Sequence, residues 1–277
     1  MSYQNKYLRK LSGLASRIRQ IFDIKSGVLK SALNKHIRIS HLGSQYTFAV
    51  PNGLCRHRAD TFSYKEPETL AWINKFREES IFWDIGANIG LYSIYAAKKK
   101  ACRVFSFEPS VFNLEVLARN VSLNRLTSLI CLIPVAISEK SGTGMLHMSS
   151  TEWGGALSTF DKTFGYDGKE LNQVFEYATL SVTLDDAVNK LGLPAPHYLK
   201  VDVDGIEHLI LSSGPNVLRS LRSVLIEISN DFHEQSMFCK KYLQQAGLVF
   251  EDKYLWKVSS KESTNTAGTV NQIWTRE

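Results

Sequence analysis

One stretch of the chain decides the fold, and it reads Phe82-Trp83-Asp84-Ile85-Gly86-Ala87-Asn88-Ile89-Gly90-Leu91-Tyr92-Ser93. Its apolar first half predicts a buried strand, its glycines predict a turn, and the residues after them predict a helix. In α/β proteins the carboxyl end of such a strand and the amino end of the next helix enclose a crevice lined by backbone N–H groups. We therefore expect a small ligand to bind at this turn.

Asp84 indicates the charge of that ligand. A dinucleotide site brings a pyrophosphate to this turn, and a carboxylate just ahead of the glycines would repel it. The dinucleotide pattern G-x-G-x-x-G also lacks a glycine, because only Gly86 and Gly90 are present, with Asn88 between them. A cation suits an acidic turn, and S-adenosylmethionine carries an ammonium that Asp84 can receive directly or through water. The alternative is that Asp84 only caps the next helix.

A second carboxylate follows the next predicted strand. The short apolar run 104–107 stops at Glu108-Pro109, about twenty residues beyond the glycine turn. A carboxylate at this place can accept hydrogen bonds from both hydroxyls of a ribose. Pro109 fixes the backbone and removes a donor, which indicates a sharp turn. Glu108 can also cap a helix that starts near Val111, and the two roles are compatible.

Length and composition favour one large domain. A chain of 277 residues with 44% hydrophobic residues can bury a full core. We expect the domain at residues 63–277, preceded at residues 1–62 by a basic amphipathic extension and, within residues 36–62, a β cover of short strands with a turn at Pro51-Asn52-Gly53. The cysteines have neither disulfide nor zinc spacing, which is typical of a reducing compartment. They are Cys55, Cys102, Cys131 and Cys239.

The positive charge lies at the start of the chain. Residues 1–40 hold nine Lys and Arg against Asp23 alone, which gives +8 and leaves −2 of the total +6 for the remainder. Apolar residues at helical spacing there predict an amphipathic basic helix. Such a helix contacts an anionic membrane surface, holds an acidic partner, or packs on the domain with its basic face in solvent. Nucleic acid is not an expected partner, because the core is slightly acidic and no recognised module is present.

No apolar run approaches the roughly 20 residues that span a membrane, and the start of the chain lacks the apolar core of a secretory signal. We therefore expect a cytoplasmic protein, with peripheral contact at the inner face of the membrane as an option for residues 1–40.

From residue 81 to residue 137 predicted strands and helices alternate, which indicates a parallel sheet covered on both faces. The last two predicted strands, 248–256 and 269–274, are joined by a loop too short for a parallel crossover with its own helix. They should therefore run antiparallel. Residues 149–177 show no clear period and contain two glycine-bearing turns. We expect them to form a loop over the site.

Charged residues interrupt one of the buried strands. In an extended chain Lys200, Asp202 and Asp204 share one face. Unpaired charges are costly inside a covered sheet, so these side chains must reach the crevice or find partners. Glu227, isolated among apolar residues of the next predicted strand, is the candidate partner for Lys200. That pair either contacts substrate or only ties the strands together.

Five motifs between residues 66 and 229 support a family assignment. They are Trp83-Asp84-Ile85-Gly86-Ala87-Asn88-Ile89-Gly90, Phe107-Glu108-Pro109, Val135-Ala136-Ile137-Ser138-Glu139, Thr183-Leu184-Asp185-Asp186 and Lys200-Val201-Asp202-Val203-Asp204-Gly205-Ile206-Glu207. In this order they resemble the FkbM-type family of S-adenosylmethionine-dependent methyltransferases. The resemblance implies an α/β, Rossmann-like class I fold, with a seven-stranded sheet that is parallel except for an antiparallel C-terminal hairpin. It also implies methyl transfer to oxygen, commonly on sugars, polysaccharides or natural products.

The resemblance also implies a cofactor site. The glycine turn would line the methionine part, Glu108 the ribose and Ala136 the region of the adenine, while Asp202 falls in the polar active-site motif. Asp204 stands where the family often has Glu, which shortens its reach by one methylene. The implied cofactor-binding residues are Asp84, Gly86, Ala87, Asn88, Gly90, Glu108, Pro109 and Ala136.

The candidate catalytic residues are Asp202, Lys200, Asp204 and Glu227. A hydroxyl is a poor nucleophile until its proton is drawn off, so a positioned base is useful. We expect Asp202 to be the base or the substrate anchor, with Lys200 setting its charge and Glu227 steadying Lys200. His233 is the rival base, although a lone surface histidine is its ordinary interpretation.

A metal is a weaker hypothesis. Asp202, Asp204 and Glu207 form a D-x-D-G-x-E string that superficially suits Mg²⁺ or Ca²⁺. In a strand-turn-helix their oxygens need not converge, so we expect no bound metal.

Two other functions compete with methyl transfer. A nicotinamide oxidoreductase is disfavoured by Asp84 and the absent glycine. A cofactor-binding scaffold, held at a membrane through residues 1–40, is disfavoured because a scaffold has no use for costly charges in its crevice.

Overall fold

The structure, a computed structural model, describes residues 35–251 and 268–276. Within these ranges strands and helices alternate between residues 81 and 133, as predicted, and five consecutive strands follow between residues 130 and 182. The strands are β1 (His36–His41), β2 (Ser44–Ala49), β3 (Ile81–Ile85), β4 (Arg103–Phe107), β5 (Ile130–Ile133), β6 (Ala136–Ile137), β7 (Gly142–Met148), β8 (Ser158–Phe160), β9 (Phe175–Val182), β10 (Tyr198–Val201), β11 (Ser223–Ser229), β12 (Val249–Phe250) and β13 (Thr269–Thr275). The helices are α1 (Gly53–Thr61), α2 (Pro67–Ile73), α3 (Leu91–Lys100), α4 (Val111–Leu123), α5 (Leu184–Asn189), α6 (Glu207–Ser212), α7 (Pro215–Ser220) and α8 (His233–Gln245).

Seven strands form the central sheet in the order β12-β13-β11-β10-β3-β4-β5. The strands from β11 through β10, β3 and β4 to β5 pair in parallel. β13 runs antiparallel to both of its neighbours, β11 and β12. The predicted parallel sheet with an antiparallel C-terminal hairpin is therefore confirmed. The chain passes from β3 to β4 and β5 on one side and returns to β10 on the other. This change of direction opens the crevice of α/β folds between β3 and β10.

Helices cover both faces of this sheet, because its central strands are apolar on both sides. Phe82 lies in one buried cluster with Ile94 of α3, whereas the next residue, Trp83, lies in the other with Leu243 of α8. Successive side chains of a strand point to opposite faces, so each face buries every second residue. This arrangement holds the strand ends of the crevice in fixed positions.

The hairpin of β1 and β2 belongs to the same core as the sheet. Tyr46 and Phe48 of β2 are fully buried with Phe82. The backbone N–H of Ala49 donates to Oδ1 of Asn120 on α4, at 2.6 Å, and Asn120 donates in turn to the carbonyl of Ile89 in the glycine turn, at 2.8 Å. The hairpin thus supports the turn that follows β3.

The β cover predicted for residues 36–62 contains strands only as far as Ala49. The turn expected at Pro51-Asn52-Gly53 is the start of helix α1, because the side chain of Asn52 accepts a hydrogen bond from the N–H of Cys55 at 2.8 Å. An asparagine in this position caps a helix as readily as it forms a turn. Sequence alone did not separate the two.

Part of the loop predicted at residues 149–177 forms strands. β8 and the start of β9 fall in this range and join a second sheet in the order β6-β9-β7-β8. Its central pair, β7 and β9, is antiparallel and joins segments about thirty residues apart in the chain. A short local window does not reveal such a pairing. The rest of the range, 149–157 and 161–174, contains no helix or strand, and its first part, 149–157, lies beside the crevice.

The predicted basic helix lies in residues 1–34, outside the described residues, and its membrane or acidic partner stays a prediction. Residues 36–40 of the basic segment belong to strand β1. No helix in ranges 35–251 and 268–276 has the length and apolar character that crossing a membrane requires.

The conformation of Gly86 gives the first testable prediction. Its φ is +78°, and an added Cβ would overlap the backbone carbonyl of Asp202. Gly43 has the same φ of +78°, but no described atom lies within 4 Å of an added Cβ. Gly43→Ala is expected to lower the free energy of unfolding by about 1 to 2 kcal/mol through backbone strain alone. Gly86→Ala adds the overlap, for a loss of at least about 3 kcal/mol.

Urea unfolding of the two variants beside the wild type measures the difference. Equal losses in Gly43→Ala and Gly86→Ala would mean that the approach of the turn to β10 is not tight.

Candidate functional site

Two adjoining cavities lie at the carboxyl ends of β3, β4 and β10, where the crevice is predicted. The polar cavity is lined by Gly86 after β3, Glu108 after β4 and Asp202 after β10. The apolar cavity shares Gly86 and Pro109 with it and continues to Ala136 of β6. The sheet therefore brings three motifs that are far apart in the sequence to one place.

Glu108 is held in a fixed orientation at the mouth of the polar cavity. Its Oε2 accepts the backbone N–H of Asn88 at 2.7 Å, and its Oε1 accepts that of Ser110 at 2.8 Å. Burial raises the pKa of the Glu108 carboxyl to about 7, although both N–H groups favour its charged form. The residue that caps α4 is Ser110, whose Oγ accepts from the N–H of Asn113. Glu108 is thus left with lone pairs for a ligand.

The apolar cavity is a slot between the central sheet and the second sheet. Ala136 and Ile137 of β6 line it together with Phe107 of β4, Leu146 of β7 and Phe160 of β8. All five are buried. Such a lining suits the flat apolar face of an aromatic ring system.

Asp84 lies beneath the cavities, within the covered sheet. It is 1% exposed, and its Oδ2 accepts the hydroxyl of Ser93 at 2.5 Å. Its Oδ1 is buried and has no hydrogen-bond partner among the described residues. Burial raises the pKa of Asp84, against the opposing effects of Lys200 and Ser93. The alternative that Asp84 caps α3 is wrong, because the capping residue is Gly90.

The other predicted residues of the turn divide into two groups. Asn88 lines the polar cavity with Gly86. Ala87 and Gly90 are not part of the described lining of either cavity and shape the turn instead. The N–H of Gly90 donates to the carbonyl of Ala87 at 2.8 Å, and an added Cβ on Gly90 would overlap the side chain of Leu117.

The buried Lys200 and the half-buried Asp202 form an ion pair beside the polar cavity. The ammonium of Lys200, which is 1% exposed, donates to Oδ2 of Asp202 and lies 5.2 Å from the ring centre of Tyr92. Burial by itself lowers the pKa of Lys200, but Asp202, Glu66 and Asp84 outweigh it and raise the pKa. Burial likewise raises the pKa of Asp202, and Lys200 reverses this effect, so Asp202 stays ionised. About a quarter of the Asp202 side chain is exposed, at 26%.

The predicted pairing of Lys200 with Glu227 is wrong. The two side chains, both in the described range, form no ion pair, and Lys200 takes Asp202 from its own strand end instead. In the register of β10 and β11, Lys200 lies opposite Leu225, two residues before Glu227. Glu227 accepts a hydrogen bond from the hydroxyl of Thr269 at 3.2 Å. Burial among other carboxylates raises its pKa well above the usual value.

Asp204 lines the polar cavity but is already engaged by the loop before β8. Its Oδ2 accepts the N–H of Leu157 at 2.7 Å. Burial and the neighbouring Asp202 raise the pKa of Asp204 to about 6. The residue has a φ of +63°, in the left-handed region, which fixes the turn after β10.

The D-x-D-G-x-E string does not form a metal site. Glu207 turns away from the cavity and accepts hydrogen bonds from the N–H groups of Val203 and Gly205 and from the side chain of Gln235. In the part of the chain that the structure describes, no group of three His, Cys, Asp or Glu residues is arranged to hold a metal ion.

His233, the rival base, is exposed at the start of α8 and is not in the described lining of either cavity. Its position fits an ordinary surface histidine.

Sequence reasoning missed the residues that hold the loop over the polar cavity. The carbonyl of Gly155 accepts from the side-chain amides of Asn88 at 2.7 Å and Asn113 at 3.0 Å. The N–H of Gly154 donates to Oδ1 of Asn113 at 3.0 Å, and its carbonyl accepts from Nε of Arg58 at 2.7 Å. The glycine pair was the one signal for this loop, and nothing in the sequence pointed to Asn113 or Arg58.

Comparison with known proteins adds a family and two relatives. Residues 84–249, more than half of the chain, match the model of the methyltransferase FkbM domain. The chain is 23% identical over 213 residues to the hexuronic acid methyltransferase AglP of Haloferax volcanii, which covers 77% of this chain and 81% of that protein. It is 38% identical over 61 residues to the methyltransferase sdnD of Sordaria araneosa, which covers 22% of this chain and 24% of that protein.

Among solved structures, the chain is similar to a precorrin-6y C5,15-methyltransferase from Geobacter metallireducens. The TM-score is 0.45 at 13% sequence identity, and the match covers 76% of this chain and 87% of that one.

Proposed function

Because the chain belongs to the methyltransferase FkbM family, we propose that it transfers a methyl group from S-adenosylmethionine to a hydroxyl oxygen of a saccharide. One observation carries this proposal. The polar cavity brings the carboxylate of Glu108, suited to a ribose, into the same space as the ionised carboxylate of Asp202. A donor and an acceptor can therefore meet there.

The residues present fit S-adenosylmethionine. Glu108 would hold the ribose hydroxyls, and the slot around Ala136 would hold the adenine. Oδ1 of Asp84 has no partner among the described residues and would receive the ammonium of the cofactor through water, because the side chain lies beneath the cavity. When bound, this cofactor supplies a methyl group on a positively charged sulfur.

Asp202 would act on the acceptor. Its carboxylate accepts a hydrogen bond from the acceptor hydroxyl, orients the oxygen, and receives the proton as the new C–O bond forms. Lys200 keeps Asp202 ionised and in place. Since a carboxylate with a lowered pKa is a weak base, orientation contributes more than proton removal.

The saccharide class rests on the relative AglP, a hexuronic acid methyltransferase of which the chain covers 81%. The test is transfer of a labelled methyl group to glycans extracted from the organism that encodes the protein. We expect the label in a methyl ether of one sugar residue, located by mass spectrometry. Binding of S-adenosylhomocysteine without transfer to any glycan fraction would contradict the saccharide proposal.

The pKa of Glu108 predicts a pH dependence of cofactor binding. Only the ionised carboxylate offers all its lone pairs to the ribose hydroxyls, and its pKa is raised to about 7 in the protein without ligand. We therefore expect the affinity for S-adenosylhomocysteine to be highest above pH 7 and to fall about tenfold per pH unit below it. Calorimetric titrations between about pH 5.5 and about pH 8.5, a range that brackets this pKa, measure the dependence.

The matched variant for this pH series is Glu108→Gln, which does not titrate. Its affinity should be lower and independent of pH. A wild-type affinity that stays flat through pH 7 would exclude Glu108 from the ribose site.

A further inference from the structure

A larger cavity, about 470 Å³ in volume, lies at the amino ends of the parallel strands, opposite the crevice. It opens where β10 starts at Tyr198, where β11 starts at Ser223 and where β13 ends at Thr275. Four residue steps of about 3.3 Å each separate Tyr198 from Asp202 at the other end of β10. This space is therefore distinct from the polar cavity.

Positive side chains dominate this basic cavity. Lys75, Arg77, Arg222 and Arg276 line it, against the single carboxylate of Glu251. Four cations and one anion leave a net charge of +3. Lys75 lies 3.5 Å from Glu251, so the remaining excess is carried by the three arginines. Like charges in one cleft repel each other and attract an anion.

Backbone carbonyls hold one arginine of the cavity, Arg276, beside Arg222. The N–H of Arg276 donates to the carbonyl of Arg222 at 2.8 Å, which sets the spacing of their side chains. The Nε of Arg276 donates to the carbonyl of Leu221, and its Nη2 to that of Ala246, both at 2.9 Å. The guanidinium of Arg276 is thereby held without the entropy cost that a free arginine has to meet on binding.

Three further donors of the cavity have no acceptor among the residues that the structure describes. The guanidinium groups of Arg77 and Arg222 make no hydrogen bond or ion pair with any residue that the structure describes. The hydroxyl of Tyr198, which is 7% exposed, accepts the N–H of Arg77 at 3.2 Å, and its own hydrogen has no acceptor in the described ranges. Tyr198 is buried and Arg222 is half-buried, and such donors ordinarily find partners, so these two point to a ligand, while the exposed Arg77 adds positive charge.

We propose that the basic cavity binds a multivalent phosphate, either a free pyrophosphate-bearing compound or the phosphate of a lipid headgroup. Guanidinium groups pair with phosphate oxygens through two parallel hydrogen bonds. A pyrophosphate carries about three negative charges near neutral pH, which balances the excess of three. Arg77, Arg222 and the Tyr198 hydroxyl supply the free donors.

The test uses the full chain, with pyrophosphate as one probe and vesicles of phosphatidic acid in phosphatidylcholine as the other. Titration calorimetry and vesicle sedimentation are run near physiological salt, where non-specific charge effects are screened. The double variant Arg77→Gln and Arg222→Gln removes two charges from the cavity. The matched control, Arg56→Gln and Arg119→Gln, removes two from exposed helix pairs elsewhere.

We expect the cavity variant to weaken binding at least about tenfold in one arm, while the control changes less than about twofold. Loss in the pyrophosphate arm assigns a free phosphate compound, and loss in the vesicle arm assigns a lipid headgroup. Affinity for S-adenosylhomocysteine should stay at the wild-type value in both variants, which shows that they fold. Equal weakening in the two double variants, or no saturable binding of either probe to the wild type, overturns the proposal.

Discussion

Asp202→Asn is expected to lower the turnover of methyl transfer by about 10²- to 10⁴-fold, while the Kd for S-adenosylhomocysteine changes less than about threefold. The amide keeps the shape of the side chain but cannot receive the hydroxyl proton. It also leaves the buried ammonium of Lys200 without its hydrogen-bonded carboxylate, so the orientation at the acceptor is lost as well. Initial rates with labelled donor measure the turnover, and calorimetry with S-adenosylhomocysteine measures the Kd.

Asp60→Asn is the matched control for this substitution. Asp60 lies on α1 and pairs with Arg56 at the surface, with 44% of its side chain exposed. Turnover in this variant should equal that of the wild type. If Asp202→Asn also keeps wild-type turnover, Asp202 has no part in the reaction.

Glu108→Ala is expected to raise the Kd for S-adenosylhomocysteine by at least about 100-fold. Two hydrogen bonds from the ribose to a charged acceptor contribute about 1.5 kcal/mol each at the low end, and 1.4 kcal/mol corresponds to a factor of ten. The variant also removes the acceptor from the N–H groups of Asn88 and Ser110, which loosens both turns around the cavity.

Glu78→Ala, at an exposed carboxylate before β3, serves as the control and should bind as the wild type does. Glu108→Gln keeps one acceptor oxygen and should fall between the two. An affinity of Glu108→Ala within about threefold of the wild type would move the ribose to another part of the chain. Thermal unfolding of each variant separates lost binding from lost folding.

The central sheet was predictable from sequence because its signals are local. Each strand around Trp83 or Val201 is a short apolar run that ends at a polar motif, and the alternation with helices sets the parallel order. The positions of Gly86, Glu108 and Asp202 at strand ends follow from that order alone. These three are the predicted site residues that line the polar cavity from the three strand ends.

The features that sequence did not reveal depend on contacts between distant segments. The second sheet pairs β7 with β9 across a stretch without period, and Asn113 and Arg58 act on a loop about forty and a hundred residues away. The partner of Lys200 was misjudged for a related reason. Adjacent strands suggested Glu227, but Asp202, two residues along the chain, turns back to the ammonium where the strand ends.

Asn120, which joins the hairpin to the glycine turn, limits where a fragment of this protein that still folds can begin. Similarity to the family begins at residue 84, yet the strand that Asn120 holds lies some thirty-five residues earlier. The segment that matches the family is therefore smaller than the part of the chain that we expect to unfold as one cooperative unit. Tyr46 and Phe48 fill part of the interior of that unit. A fragment excised at residues 84–249 would carry every predicted site residue, yet apolar side chains that the hairpin covers, such as Tyr95, would be exposed to water.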